Sequence, residues 1–363
     1  MLGDKMKQRY REIYRATQLP VFQNRMFHTE DEARNCVKGN VALVQDLETG
    51  LIFNQAFNPE LMHYDADYQN EQAVSTVFQQ HLHNVSNVIQ KHFQGCSLIE
   101  VGCGKGHFLE QLQGMGFDII GLDPTYEGSN TSVIKKYFSP EIGLKADVIL
   151  LRHVLEHVQD PITFLSNLLA ANGRSGKIYI EVPCFDWICD HRAWFDIFYE
   201  HVNYFVLSDF YRMFGVVYEA GHTFNGQYLY VVADLSTIRM PTIEVSKRFE
   251  LPGKFLETVD KYSTSLRAQK TEDKTMSVIW GGASKGVIFA LFMERAGAKI
   301  DVVIDINAAK QGKYLAATGL KVMAPEEAMH KLSPGSDIFV MNGNYLNEIQ
   351  EFTDSRFNLI SIE

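Results

Sequence analysis

Short apolar runs alternate with amphipathic stretches through the middle of the chain. Residues 96–101 and 117–122 have the length and character of buried strands, and Phe108, Leu109 and Leu112 lie between them at helical spacing. Strands that alternate with helices imply a parallel sheet with helices on both faces. The pattern therefore predicts an α/β fold for this part of the chain.

Helix signals surround the remaining strand candidates of this central block. An amphipathic helix is predicted from Val74, because apolar residues recur there every three or four positions. Asp160 and Pro161 have the residue types of an N-cap and a first-turn proline, which predicts a second helix. The further strand candidates are residues 146–151, 177–182 and an antiparallel pair at 216–218 and 228–232.

A smaller block lies on each side of the central one. Near the N-terminus, alternating runs at 41–44 and 51–53 enclose the turn-like Glu48-Thr49-Gly50, which predicts a small β-hairpin. The last block follows a polar, helical stretch at about 244–270. Its strand candidates are residues 276–280, 300–304 and 337–341, and a Gly-rich run at 281–286 follows the first of them. We expect three regions, at residues 1–70, 71–240 and 241–363.

The net charge and the cysteines narrow the class of protein. The chain has 34 Lys and Arg residues and 44 Asp and Glu residues, so its net charge is −10. A protein that binds duplex nucleic acid usually has a basic face, so this charge argues against such a function. Five scattered cysteines without C-x-x-C spacing fit neither a zinc ribbon nor a disulfide framework, and they favour a reducing cytoplasm. The first residues lack an apolar signal segment, and no run is long enough to span a bilayer. We therefore expect a cytoplasmic protein with no nucleic-acid or membrane partner.

A glycine-rich loop follows the first central strand. Its sequence, Glu100-Val101-Gly102-Cys103-Gly104-Lys105-Gly106, has G-x-G-x-G spacing with an acidic residue two positions before the first glycine. This is neither the G-x-G-x-x-G of dinucleotide folds nor a phosphate-binding P-loop. Glycines at such a position let the backbone approach a ligand, and the alternative reading is an ordinary tight turn.

The loop resembles motif I of class I S-adenosylmethionine-dependent methyltransferases. The resemblance implies a Rossmann-like sheet with S-adenosyl-L-methionine as cofactor, whose ribose hydroxyls Asp123 would take. Residues 147–158 resemble the fourth-strand region of the same superfamily, where His153 is either a cofactor contact or a plain loop side chain. In that region we expect Glu156 and His157 to be structural. The cofactor-binding residues predicted in this way are Glu100, Gly102, Cys103, Gly104, Gly106, Asp123, Pro124 and His153.

The segment at residues 198–205 carries the candidate base. A histidine can act as a general base because its ordinary pKa is about 6.5, and the alternative is a polar corner with a satisfied histidine. The segment resembles the Glu-His-x-x-Tyr-Phe signature of the sugar C-methyltransferase family, which acts on nucleotide-linked keto-sugars. The resemblance implies that His201 removes a proton next to a ketone, with Glu200 and Tyr199 as further catalytic residues. The family's usual tyrosine three positions before the histidine is Phe198 here.

The last block is similar to the C-terminal half-Rossmann domain of that family, which helps to form the substrate site. Two departures stand beside this resemblance. The family's N-terminal zinc module has four cysteines, whereas Cys36 alone lies in that region here, so we predict a degenerate module and no metal. The stretch at 224–228 also differs from the family's Gly-Gly-Ser-x-Arg. The substrate residues that the resemblance suggests are Tyr64, Tyr68, Tyr204, Lys285 and Lys313.

These observations predict a function and leave alternatives open. The first hypothesis is C-methylation of a nucleotide-linked keto-sugar, in carbohydrate biosynthesis, with His201 as the base. The second keeps the cofactor but makes the protein an O- or N-methyltransferase of a glycan sugar or a secondary metabolite. The third is a cofactor-binding scaffold without activity, against which the intact loop and Asp123 argue.

Overall fold

The structure is a computed structural model that describes residues 9–62, 75–243, 248–271 and 276–363, with the backbone alone at 269–271. These residues form a four-stranded N-terminal sheet, a seven-stranded central sheet, a five-stranded C-terminal sheet and a two-stranded ladder. The three larger sheets follow the three blocks predicted from the sequence.

The N-terminal region is a small antiparallel sheet. The predicted hairpin is confirmed, with Leu43 opposite Asn54 and Gln45 opposite Ile52. A long first strand, which the sequence analysis did not predict, pairs along the other edge of the hairpin. The elements of this region are β1 (Tyr10–Pro20), β2 (Met26–Phe27), α1 (Glu30–Arg34), β3 (Lys38–Asp46) and β4 (Ile52–Asn54).

The central domain begins with a long helix, after which strands and helices alternate except where three strands, and later two, follow one another without an α-helix between them. Ser75 caps the first helix by accepting a hydrogen bond from the Phe78 N–H, and Val74 lies outside the described residues. Asp160 caps the helix at Pro161–Ala171 by accepting a hydrogen bond from the Thr163 N–H, as predicted. The elements are α2 (Thr76–Phe93), β5 (Ser97–Val101), α3 (His107–Gly114), β6 (Asp118–Leu122), β7 (Val133–Ile134), β8 (Val148–Arg152), α4 (Pro161–Ala171), β9 (Lys177–Pro183), α5 (Phe185–Asp190), β10 (Asn203–Tyr204), α6 (Leu207–Met213), β11 (Val217–Thr223) and β12 (Tyr228–Asp234).

The central sheet has the strand order β11-β12-β9-β8-β5-β6-β7. Its pairs are parallel from β9 to β7, whereas β12 runs antiparallel to both of its neighbours. This is a Rossmann-like sheet, and the predicted α/β fold class is confirmed. The strand order reverses between β5 and β8, so a ligand crevice is expected at the carboxyl ends of these two strands.

The C-terminal domain is a second, smaller α/β unit, as predicted. Its five-stranded sheet is parallel throughout, in the order β16-β14-β13-β17-β18. The predicted helix at about 244–270 begins only at Glu257. The elements are α7 (Glu257–Thr271), β13 (Val278–Trp280), α8 (Ser284–Arg295), β14 (Val302–Ile304), β15 (Tyr314–Leu315), β16 (Val322–Met323), α9 (Pro325–Lys331), β17 (Asp337–Val340), α10 (Leu346–Phe352) and β18 (Asn358–Ser361).

Two short strand pairs attach the N-terminal region to both α/β domains. Strand β10 of the central domain adds to the edge of the hairpin at β4, and β15 of the C-terminal domain pairs with β2. Buried apolar side chains pack this sheet in place, with Leu19, Val41 and Leu43 all fully buried. None of the described helices combines the length and the apolar character that a membrane span requires.

Candidate active site

The glycine-rich loop turns sharply at the end of β5. Gly102, Gly104 and Gly106 have φ angles of +76°, +54° and +83°, a region that side chains other than glycine rarely adopt. A Cβ atom on Gly104 would meet nothing within 4 Å, so the backbone there is open to a ligand. The loop thus has the form that a bound cofactor requires.

The carboxylate predicted to take the ribose hydroxyls lies against this loop. Asp123 Oδ2 accepts a hydrogen bond from the Gly104 N–H at 2.9 Å, and Oδ1 accepts one from the Thr125 N–H at 2.8 Å. Each carboxylate oxygen can accept more than one hydrogen bond, so capacity for ribose hydroxyls remains. Glu100 Oε2 is buried and has no hydrogen-bond partner among the residues that the structure describes, and burial raises the pKa of Glu100 to about 7. These donors and acceptors fit a nucleoside cofactor that carries a positive charge.

Two further predicted cofactor residues, Cys103 and Pro124, differ in how far they are buried. Cys103 is buried, and its Sγ atom would lie 2.8 Å from a Cβ atom on Gly121, so the side chain fills the gap between loop and sheet. Burial raises the pKa of the Cys103 thiol well above its ordinary value. Pro124 is exposed beside Asp123. We therefore expect Cys103 to pack beneath the loop rather than to contact a ligand through its sulfur.

A buried charge network fixes His153 at the end of β8. The Glu181 carboxylate accepts a hydrogen bond from Arg152 Nε at 3.2 Å. Its Oε1 atom also lies 2.8 Å from His81 Nε2 and 3.0 Å from His153 Nε2. Burial alone would raise the pKa of Glu181, but Arg152 and the two histidines hold it well below its ordinary value. Burial would lower the pKa of His153, but Glu156 and Glu181 raise it to about 9. His153 is therefore a charged and immobile side chain at neutral pH.

A cavity of about 260 Å³ lies between the central and C-terminal domains, on the side of the sheet where His153 sits. Both domains contribute polar side chains to its wall, and the N-terminal region adds Asn24. From the central domain the wall includes His153, Glu156, His157, Asp196, Glu200, His201, Gln227 and Tyr228, and from the C-terminal domain Ser284, Lys285, Asp305, Lys310 and Asn342.

His201 lies in this wall without a hydrogen-bond partner among the described residues. Its ring packs against Phe198, at 4.0 Å between ring centroids, and meets the His157 ring edge-on at 5.0 Å. Burial, together with the neighbouring His157 and His153, holds the pKa of His201 well below its ordinary value. The imidazole is therefore neutral at physiological pH and has a lone pair available for a proton.

Two Glu-His pairs meet at this cavity. Glu156 and His157 form part of the 3₁₀ turn Leu155–His157, and the Glu156 carbonyl accepts a hydrogen bond from the Val202 N–H at 2.7 Å. His157 Nδ1 lies 2.9 Å from the Glu200 carbonyl oxygen. The Glu200 carboxylate in turn accepts the Gln23 N–H at 2.7 Å. The sequence analysis favoured a purely structural role for Glu156 and His157, whereas both lie in the cavity wall.

Lys285 lies in the cavity wall as a buried cation. Its Nζ atom is 2.8 Å from Glu363 Oε1, 3.5 Å from Asp196 Oδ2 and 3.2 Å from Gln227 Oε1. Burial would lower the pKa of Lys285, but Asp196 and Glu363 outweigh it and raise the value. The sequence analysis missed Asp196, because nothing local distinguishes it and only the fold brings it to Lys285.

Other predicted site residues lie elsewhere. The Tyr199 hydroxyl accepts the Asn58 N–H at 2.8 Å, and the Tyr204 hydroxyl accepts the Phe198 N–H at 3.1 Å, so both tyrosines hold backbone segments around the cavity rather than line it. Lys313 is not among the described residues that line the cavity. Tyr64 and Tyr68 lie outside the described residues.

Comparison with known proteins gives two family matches. Residues 69–216 match a family model described as a methyltransferase domain, and residues 239–355 match one described as a C-methyltransferase C-terminal domain. The prediction of a methyltransferase domain is confirmed for residues 69–216, and the match agrees with S-adenosylmethionine as its cofactor. The family descriptions name no acceptor.

Individual relatives are more distant. The mitochondrial ubiquinone biosynthesis O-methyltransferase of Homo sapiens is 28% identical over 108 residues, which are 25% of this chain and 29% of that protein. An uncharacterized methyltransferase of Alkaliphilus oremlandii is 25% identical over 152 residues, 37% of this chain and 68% of that protein. This chain spans between 29% and 36% of the length of the ubiquinone-biosynthesis relatives that it matches.

Among solved structures, an S-adenosylmethionine-dependent methyltransferase from Archaeoglobus fulgidus is 18% identical, covers 44% of this chain and 100% of its own, and has a TM-score of 0.32. The plantazolicin methyltransferase BpumL, in complex with a triazolic desmethylPZN analog and SAH, is 23% identical, covers 31% of this chain and 49% of its own, and has a TM-score of 0.25.

Proposed function

We propose that this chain, which has the class I methyltransferase fold, transfers a methyl group from S-adenosylmethionine to a carbon atom of a small-molecule acceptor, a nucleotide-linked keto-sugar. The observation that carries the proposal is the position of His201, a buried and neutral imidazole without a hydrogen-bond partner among the described residues, in a cavity shared by the two α/β domains. The match of residues 239–355 to a C-methyltransferase C-terminal domain supports carbon as the methylated atom.

The chemistry assigned to this chain is proton abstraction. His201 takes a proton from the carbon next to the acceptor's ketone, and the electron pair of that C–H bond remains on the acceptor as an enolate. When bound, S-adenosylmethionine supplies the electrophilic methyl group that this carbon takes. The Phe198 ring packs against the His201 imidazole, with 4.0 Å between the ring centroids. The next residue, Val202, donates its backbone N–H to the Glu156 carbonyl, and these two contacts position the base.

The cavity also offers positive charge to an anionic acceptor. Lys285 and Lys310 are buried in its wall, and Lys310 Nζ lies 3.4 Å from Asp305 Oδ2. A diphosphate linked to a sugar would find two cations within a chain whose net charge is −10. The same wall carries carboxylates, among them Asp196 and Asp305 that pair with these lysines, so the support for a nucleotide-linked acceptor is limited to the two ammonium groups themselves.

The assignment of His201 is tested by solvent-deuterium exchange at the acceptor carbon, with a panel of nucleotide-linked keto-sugars as probes. We expect His201→Gln to abolish exchange, since the amide has no basic lone pair for the proton. His191→Gln is the matched control, because His191 is exposed and stacks on Trp187 outside the cavity wall. Exchange that persists at the wild-type rate in His201→Gln would remove the base role from this residue.

A second candidate function is O- or N-methylation of a glycan sugar or a secondary metabolite. The observation that favours it is that relatives matching part of this chain are named O-methyltransferases. The same cavity would then place His201 beside a hydroxyl or an amine rather than beside an acidic C–H bond.

A further inference from the structure

Three groups with free electron pairs converge beneath the cavity. Glu156, His157 and His201 each present one ligand atom, and these atoms all lie within 4.8 Å of one another. The Glu200 carbonyl oxygen can only accept a hydrogen bond, so His157 Nδ1 carries the ring proton and donates it. His157 Nε2 therefore keeps a lone pair. The cluster is therefore rich in acceptors.

The Glu156 carboxylate is only partly compensated by its neighbours among the described residues. Glu156 is 1% exposed, and neither of its oxygens has a hydrogen-bond partner among the described residues. Its nearest charged neighbour is His153, whose Nδ1 lies 3.4 Å from Oε1 and which also serves Glu181. A buried carboxylate normally has hydrogen bonds or a metal ion to compensate for its lost hydration. Glu156 has only the contact with His153, which is shared with Glu181, as compensation among the described residues.

We propose that Glu156, His157 and His201 bind one divalent transition-metal cation of the Zn²⁺ type, with an open coordination position toward the cavity. Two imidazoles and one carboxylate are a common set for a cation that keeps a position open for a small ligand. Metal–ligand bonds of about 2.0–2.2 Å require ligand atoms closer together than 4.8 Å, so the three side chains would have to move toward one another when the cation binds.

The backbone already holds the two ligand segments together. The Val202 N–H donates to the Glu156 carbonyl at 2.7 Å, and the Asn203 side chain donates to the Leu155 carbonyl at 3.3 Å. These bonds join the turn after β8 to the segment that precedes β10. The ligands therefore come from two segments fixed in register, which lowers the entropic cost of gathering them around an ion.

The cation and the proposed base compete for one lone pair. With the ion bound, His201 has no electron pair for the acceptor's proton, so a loaded site is a blocked base. The inference rests on the proposed function for the placement of His201 at the acceptor, but cation binding itself requires no acceptor. The sequence analysis predicted no metal because it considered only the cysteine spacing of the N-terminal region.

The test is a titration of the full-length, tag-free protein with Co²⁺ and Zn²⁺ after removal of metal by a chelator. We expect saturable binding of one cation per chain, with a visible Co²⁺ spectrum that lacks the charge-transfer band of a thiolate ligand. Glu156→Gln and His157→Gln are expected to weaken binding by about tenfold or more. His92→Gln is the matched control, because it removes a histidine beside Glu219 on the outer surface, and it should leave the affinity unchanged.

Unchanged S-adenosylmethionine affinity and an unchanged melting temperature show that the variants are folded. Absence of saturable binding, or equal affinities in Glu156→Gln and the wild type, would overturn the cation site. Solvent-deuterium exchange with and without Zn²⁺ separates this failure from failure of the proposed function. Exchange that Zn²⁺ suppresses and a chelator restores supports both, whereas exchange that Zn²⁺ stimulates removes the base role of His201 and leaves the cation site standing.

Discussion

At Gly102 the backbone has a φ of +76°, and a Cβ atom would lie 2.5 Å from Val154 Cγ2. A side chain here would therefore both strain the turn and push the loop away from the segment that carries His153. Asp123 acts on the same loop from the opposite side, through the hydrogen bond that it accepts from the Gly104 N–H. Single residues thus define the shape of the cofactor site.

These two residues give a direct prediction for cofactor affinity. Asp123→Ala removes a buried carboxylate whose charged hydrogen bonds are each worth about 1.5–3 kcal/mol, so we expect S-adenosylmethionine affinity to fall by about tenfold to a hundredfold. Gly102→Val should reduce it similarly by distorting the loop. Asp118→Ala, at the exposed start of the same strand, is the control, and calorimetry measures all three. Wild-type affinity in both loop variants would contradict the cofactor assignment.

At the scale of the element, the ends of α2 and β11 are joined by one carboxylate. Glu219 lies 2.5 Å from Lys91 Nζ, 2.6 Å from His92 Nε2 and 2.7 Å from the Tyr230 hydroxyl. The hydrogen bonds from Lys91, His92 and Tyr230 lower the pKa of Glu219 to about 2. This contact fixes the helix that precedes the cofactor-binding strand against the edge of the sheet.

The contact predicts a pH-dependent loss of stability. A folded pKa below the unfolded value means that the contribution of Glu219 is complete above about pH 4.5 and disappears as the pH falls toward 2. We expect Glu219→Gln to lower the free energy of unfolding by about 1 kcal/mol at neutral pH, and the difference from wild type to vanish near pH 2. Glu327→Gln, which removes an exposed pair with Lys331, should cost less. A difference that is independent of pH in urea unfolding would show that Glu219 acts only by packing.

The elements also show what the sequence could predict and what it could not. Strands β5, β6 and β9, the helix α2 and the cap of α4 follow from local spacing, so they were predicted. Strand β1 was not, because charged residues interrupt its alternation and its register shifts twice against β3. The two-residue strands β10 and β15 exist only because distant chain segments pair with them.

At the scale of the whole molecule, the cofactor half and the acceptor half of the proposed site differ in how far they could be predicted from the sequence. The cofactor half lies within one strand–loop–helix unit and the next strand, so its residues are readable from one stretch of sequence. The acceptor half is assembled from distant segments: Asp196 meets Lys285 of the C-terminal domain, and Asn24 of the N-terminal region donates to Ser284 Oγ at 2.9 Å. For Glu156 and His157, the one sequence signal was that their Glu-His pair occurs again at Glu200 and His201.

The arrangement of three regions around one cavity is what the proposed carbon methylation requires. The central domain supplies His201 and His153 to the cavity wall, and the C-terminal domain supplies the buried Lys285 and Lys310. The N-terminal region pairs with both α/β domains, through β4 and through β2, and so fixes their distance. The atom that receives the methyl group is the point on which this account depends.

That atom can be identified by NMR of the product formed with S-adenosylmethionine labelled with ¹³C in its methyl group. Wild-type protein is incubated with the panel of nucleotide-linked keto-sugars, and His201→Gln serves as the control. The account predicts a labelled methyl resonance coupled to a sugar carbon next to the ketone, formed by the wild type and absent with His201→Gln. A labelled methyl group bound to oxygen or nitrogen would contradict it.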